Sequence, residues 1–157
     1  MGYTFIIGNA ILKEDKSDFP RLNSYWEVQP EFSENAPWFP GEIEQQSNIR
    51  SPSYSAWKQF CENTSLYEFF YDERGHLEMG HPGCVGITQP DVDIVSTALK
   101  HYKRYKKTGL PPGFEDFGAC YENQPPNYDC DLARLIWLEW WIRWAFEHCE
   151  TPAIQNY

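Results

Sequence analysis

Asp131-Leu-Ala-Arg-Leu-Ile-Trp-Leu-Glu-Trp-Trp-Ile-Arg-Trp-Ala-Phe-Glu-His148 is the stretch on which the fold turns. Four of the chain's seven tryptophans lie in it: Trp137, Trp140, Trp141 and Trp144. Together with Leu132, Leu135, Ile136, Leu138, Ile142 and Phe146 they leave almost no polar face. A helix that is apolar nearly all round is enclosed, either by protein or by lipid. A spanning helix needs about 20 apolar residues with few charges. Arg134, Glu139, Arg143 and Glu147 break this run, so it reads as a buried central helix. Buried charges must be paired or used, which makes those four side chains informative.

The surrounding chain has the size of one domain, residues 1–157, long enough to fold without disulfide or metal staples. Aromatic residues make up 17%, so rings must build much of the core or a pocket. The formal net charge of −10 repels nucleic-acid backbones and argues against direct nucleic-acid binding. It is unevenly spread: net −4 over residues 1–50, 0 over 51–110 and −6 over 111–157. Five cysteines, an odd number without a C-x-x-C pair, read as free thiols of a reducing cytoplasm. The N-terminal residues lack the pattern of a signal peptide, and no membrane segment or internal repeat is expected.

Along the chain, Tyr3 to Ile7 reads as a strand apolar on both faces, which Gly8-Asn9 ends or bulges and Ala10 to Leu12 extend. Tyr25 to Phe32 reads as a second strand, placed at an edge by Pro30. Asn35 to Gly41 is an ordered loop, and Glu42 to Asn48 a polar segment with a helical turn. Ser51 as N-cap and Pro52 at the first helical position open a helix that ends near Asn63. Ser65 to Tyr71 is a short second helix. Asp72 to Cys84 is a structured loop. Thr88 and Asp91 form a capping box for a helix running to Lys106. Phe114 to Asp129 is a long loop, Asp129 or Asp131 caps the final helix, and Thr151 to Tyr157 is a tail. The fold class is α+β, with N-terminal strands packed against three to four helices around the Trp-rich one.

Two constellations point to a ligand. In the first, Arg134, or the ridge Glu139, Arg143 and Glu147, faces a cavity walled by Trp137, Trp140, Trp141 or Trp144; indole rings suit stacking against flat ligands and cations. The competing reading is that the ridge is only a solvated strip. In the second, Arg50 precedes a helix start rich in hydroxyls (Ser51, Ser53, Ser55), with Tyr54 and Trp57 offering stacking surfaces. Helix N-termini attract anions. The bland alternative is an ordinary capped helix with a surface arginine. His76, His81 and Cys84 have loose metal-ligand spacing but lack the paired sets of a zinc site. His81 reads instead as a loop histidine or an acid–base group. Lys100 to Lys107 complement a helix dipole. No phosphate-binding glycine loop, nucleophile elbow or metalloprotease motif is present.

At Arg50 to Trp57, at His81-Pro82-Gly83 and at Leu132 to Trp141 the chain resembles small proteins encoded in bacteriophage and prophage genomes. The resemblance carries no fold, activity or catalytic residue. It implies a setting, the host cytoplasm, and a role in interfering with host defence. The combined expectation is a non-enzymatic protein that binds a small nucleotide-like molecule and so sequesters a host immune signal. The expected ligand residues are Arg50, Ser51, Tyr54, Trp57, His81, Arg134, Trp137, Trp141 and Arg143, with no metal, cofactor or membrane. The alternative is an acidic inhibitor that binds a host protein by mimicking nucleic acid. A small hydrolase or transferase built on His81, Glu139 or a cysteine is a third reading. The sequence sets no oligomeric state.

Overall fold

Phe5, Ile6 and Ile7 are apolar on both faces of the chain, and both faces find cover. A computed structural model of the protein describes residues 1–15, 23–37, 46–105 and 129–157. In it, strand β1 (Phe5–Asp15) runs straight through Gly8 and Asn9, which neither end nor bulge it. Its first half is paired on one edge with β5 (Pro152–Asn156) and on the other with the two-residue β3 (Ile49–Arg50). Its second half pairs with β2 (Asn23–Val28). β5 also pairs with β4 (Gly83–Gly86), which gives the order β2-β1-β5-β4, antiparallel throughout. The sheet is curled. Gln155 closes the curl: its side chain accepts from the Val28 N–H (2.8 Å) and donates to the Trp26 carbonyl (3.3 Å).

Helices α1 (Tyr54–Asn63), α2 (Tyr67–Phe70), α3 (Gln89–Tyr105) and α4 (Cys130–His148) complete the described elements. The α+β class is as read from the sequence. α4 buries residues on every side, against β1, β5, α3 and α1. Phe5 and Ile7 point into this main core, whereas Ile6, Ala10, Val28 and Ala153 form a second small core across the sheet. No helix among the described residues is long and apolar enough to cross a membrane.

The capping chemistry explains the helix starts. Asp129 accepts from the Leu132 N–H (3.0 Å) and so caps α4, with Asp131 inside the first turn. Thr88 donates its backbone N–H (2.8 Å) and its hydroxyl (2.9 Å) to the Asp91 carboxylate at the start of α3. The start of α1 differs from expectation. Ser53, not Ser51, is the N-cap, accepting from the Ala56 N–H at 3.2 Å. The reason is the neighbouring strand: the Pro52 carbonyl accepts from the Tyr3 N–H (3.0 Å), which holds Ser51 and Pro52 extended.

Three strands were not anticipated, the two-residue β3 at Ile49–Arg50 and two longer ones. Thr151 to Tyr157, expected as a tail, contributes the interior strand β5, and Gly83-Cys84, expected in a loop, opens β4. Each is too short to show periodicity, and each is held by pairing with residues far away in the chain. The second strand runs from Asn23 to Val28 and stops short of Pro30; β2 is at the edge of the sheet, as expected, but the proline lies outside the strand. The readings at Trp38 to Gly41, at Glu42 to Gln45, at Lys106 and Lys107 and at Phe114 to Tyr128 lie outside the described residues.

α1 ends in a Schellman turn, in which the Leu66 N–H reaches the Cys61 carbonyl (2.9 Å) and Ser65 adopts φ 62°. An L-residue pays about 1–2 kcal/mol in that left-handed region. Ser65→Gly is therefore expected to stabilise the protein by about 0.5–1 kcal/mol in urea denaturation, after glycine's own entropic cost is subtracted. Ile154, 2% exposed on β5, packs in the main core. Ile154→Ala should cost about 2–5 kcal/mol in the same measurement, as for a core position; a loss below about 1 kcal/mol would mean that β5 is a dispensable tail.

Candidate functional site

The expected site residues divide into three groups. Trp57 and Trp141 are 0% exposed and enclosed by the core; Trp57 sits against Phe5, Phe60 and Phe70, so neither indole presents a face to solvent. Their indole N–H groups find no acceptor among the described residues. Trp137 is buried too, its N–H given to the Ser47 carbonyl at 3.0 Å.

The arginines make up the second group, and each has a protein contact. The Arg50 guanidinium lies 5.9 Å from the Trp137 ring centroid. Arg134 pairs with Asp131 at 3.7 Å, and Asp131 also accepts from Asn63 of α1 (2.8 Å). Arg143 pairs with Glu139 at 3.1 Å. Glu139 is not a solvent-facing residue: it accepts from Ser96 of α3 at 3.2 Å, and only Glu147 of that ridge is exposed. The outer side of α4 instead carries a ladder of half-buried rings, with Trp140 and Trp144 near parallel and exposed His148 stacked on Trp144.

Tyr54 and His81 form the third group, and the fold brings them together. The Tyr54 hydroxyl lies 3.2 Å from His81 Nε2. Tyr3, not anticipated from the sequence, joins them edge-on, 4.7 Å from Tyr54 and 5.0 Å from His81 between ring centroids. Ser51 lies beside this group, its hydroxyl 3.3 Å from that of Thr4, and lines the adjacent hollow around Gly2 and Ser53. The three rings border a cleft of about 360 Å³ completed by Gly75, His76, Leu77 and Gly80. Its floor is a tight loop. Gly80 has φ +86°, and Gly83 passes so close to the Met79 carbonyl that a Cβ would collide with it. The His81–Pro82 peptide bond is cis. Asp72 shapes the near side by accepting from the backbone N–H groups of His76 (3.0 Å) and Arg74 (2.9 Å), and these hold its carboxyl below the usual range.

Asn156 fixes the histidine. It is 0% exposed at the end of β5; its amide nitrogen donates to the Gly80 carbonyl, and its Oδ1 contacts His81 Nδ1. A carbonyl only accepts, so the Asn156 nitrogen must face Gly80 and its oxygen must face the imidazole. That oxygen also only accepts, so Nδ1 carries the proton. In the neutral ring Nε2 then keeps its lone pair, and the Tyr54 O–H donates to it.

A larger groove of about 690 Å³ lies between α1 and α3, lined by Ile94, Ala98 and Tyr102 among others. Several of its polar groups are bonded within the protein. Tyr102 donates to Asp129 (2.7 Å), Thr64 to the Phe60 carbonyl (2.7 Å) and Asn63 to Asp131. None of the expected site residues lines it, and the smaller cleft holds the convergent polar atoms. Burial pushes the thiols of Cys61, Cys84 and Cys149 up, which disfavours the nucleophilic thiolate at these three positions. Among the described residues no cluster of histidine, cysteine and carboxylate could hold a metal ion; His76, His81 and Cys84 do not form one.

Scans against protein-family models, curated proteins and solved structures give no match. The chemistry of the cleft must be read from its own atoms.

The tautomer is directly measurable. Long-range nitrogen–proton correlation spectra at neutral pH are expected to show His81 protonated at Nδ1 and bare at Nε2. Asn156→Leu, which removes the acceptor, should shift the population toward the Nε2–H form. A dominant Nε2–H form in the unmodified protein would overturn this hydrogen-bond assignment.

Proposed function

We propose that the protein binds a small, planar, nucleobase-like molecule in the Tyr3–Tyr54–His81 cleft and holds it without transforming it. The observation that carries this reading is the convergence of three rings on one opening, with the imidazole among them fixed from below by a buried asparagine. Ligand sites combine apolar and aromatic walls with a few oriented polar groups, and about 360 Å³ is enough for a nucleoside-sized molecule. The Tyr3 and Tyr54 rings supply stacking or edge contacts. Among the described lining residues there is no carboxylate and no lysine or arginine, which favours recognition of a base over capture of a phosphate. In the phage setting implied by the resemblance, such a binder would sequester a nucleotide signal of the host.

The test is a thermal-shift screen of nucleosides and nucleotides, followed by calorimetric titration of any hit. Tyr54→Ala should weaken binding about 5- to 100-fold, the range expected for losing one stacked base contact, with an unchanged melting temperature for the unliganded protein. Arg143→Ala, remote from the cleft, should bind like the parent protein. Retention of full affinity by Tyr54→Ala would show that the ligand sits elsewhere.

A further inference from the structure

The hydrogen-bond chain behind the cleft also sets which face of a ligand it can take. The Tyr54 hydroxyl has one proton, and the geometry directs it to His81 Nε2. The Tyr54 oxygen is then left with acceptor capacity only. His81 cannot offer a donor to the cleft either, because Nδ1–H is held by Asn156 and Nε2 accepts from Tyr54. With neutral His81, the polar tip of the cleft is therefore an acceptor.

We propose that the cleft selects ligands presenting an N–H donor, the exocyclic amine of an adenine- or cytosine-type base, over otherwise identical rings that lack it. This rests on the cleft being the binding site. Protonating His81 inverts the arrangement. Nε2–H then donates to the Tyr54 oxygen, the phenol proton is released toward the cleft, and the tip becomes a donor. The titratable groups facing His81 are the phenols of Tyr3 and Tyr54, and the His76 imidazole lines the same cleft. A protonated His81 should thus weaken amine-bearing ligands while leaving amine-free rings nearly unaffected.

The experiment titrates paired probes: adenosine against purine riboside, which lacks the amine, and cytidine against its 4-deamino analogue. Both pairs are run at about pH 8 and about pH 5, on the whole protein and on His76→Gln, so that His81 is the one cleft imidazole left to titrate. The amine-bearing member of a pair should bind about tenfold tighter at the higher pH, the value of one net hydrogen bond, and this advantage should shrink at the lower. Tyr54→Phe keeps the ring and removes the oxygen, so the two members should then bind alike. Equal affinities in the parent protein, with Tyr54→Ala still weakening binding, would overturn the donor selectivity and leave the cleft reading standing. Discrimination that survives in Tyr54→Phe would also overturn it, by placing the acceptor on another group. Binding of none of the four probes would overturn both readings for nucleobases.

Discussion

A helix with no polar face must be walled on every side, and the described architecture follows from that requirement on α4. Its buried positions include Leu132, Ala133, Leu135, Ile136, Trp137, Leu138, Trp141, Ile142 and Ala145, which between them point in all directions around the axis. One helix neighbour cannot cover such a surface. The sheet covers part through Phe5, Ile7 and Ile154, while α3 and α1 cover the rest. Each large aromatic ring buried this way removes about 150–250 Å² from water, so the rings dominate the energetics of the core. The N–H groups of Trp57 and Trp141, without an acceptor among the described residues, offset that gain by about 1–3 kcal/mol for each one left unsatisfied.

Two asparagines pin the polar backbone around this core, and both are 0% exposed. Asn48 donates to the carbonyls of Ile7 (2.8 Å) and Gln29 (2.9 Å) and accepts from the Glu31 N–H (2.8 Å), which ties β1 and the segment after β2 to one amide. Gly8 leaves room for it, since a Cβ there would come within 3.1 Å of the Asn48 nitrogen. Asn156 performs the corresponding task at the cleft with the Gly80 carbonyl and His81. A buried amide costs stability unless it is bonded, so such positions survive where their bonds specify a geometry.

What the sequence disclosed depended on how local each signal was. The α4 pattern, the Thr88–Asp91 cap and the end of α1 near Asn63 are written within a few residues of one another, and the structure agrees with them. β5 is five residues long, begins with proline and is held by pairing with β1 about 147 positions earlier and with β4, partnerships no local window contains. The same limit applies to the site. Tyr54 and His81 stood out because rings and imidazoles carry chemistry wherever they lie. Tyr3 was absorbed into a strand pattern, and Asn156 is an ordinary polar residue until the fold sets it 75 positions away in sequence yet in contact with His81. The arginines were equally visible: a cation beside aromatic residues suggests a ligand, and in the fold Arg50, Arg134 and Arg143 contact Trp137, Asp131 and Glu139.

Three consecutive residues of β5 connect stability to recognition. Ile154 faces the main core, Gln155 reaches the edge strand from the opposite face, and Asn156 orients His81. Alternation along a strand sends neighbours to opposite faces, which is how so short a segment serves the core, the curl of the sheet and the cleft together. The orientation of the imidazole is consequently secured by an interior strand rather than by the loop that carries it. Moving Asn156 would require unpairing β5 from β1 and β4, at the expense of the core contacts of Ile154. A cleft built this way has settled its imidazole orientation during folding, so little ordering would remain for a ligand of the kind proposed.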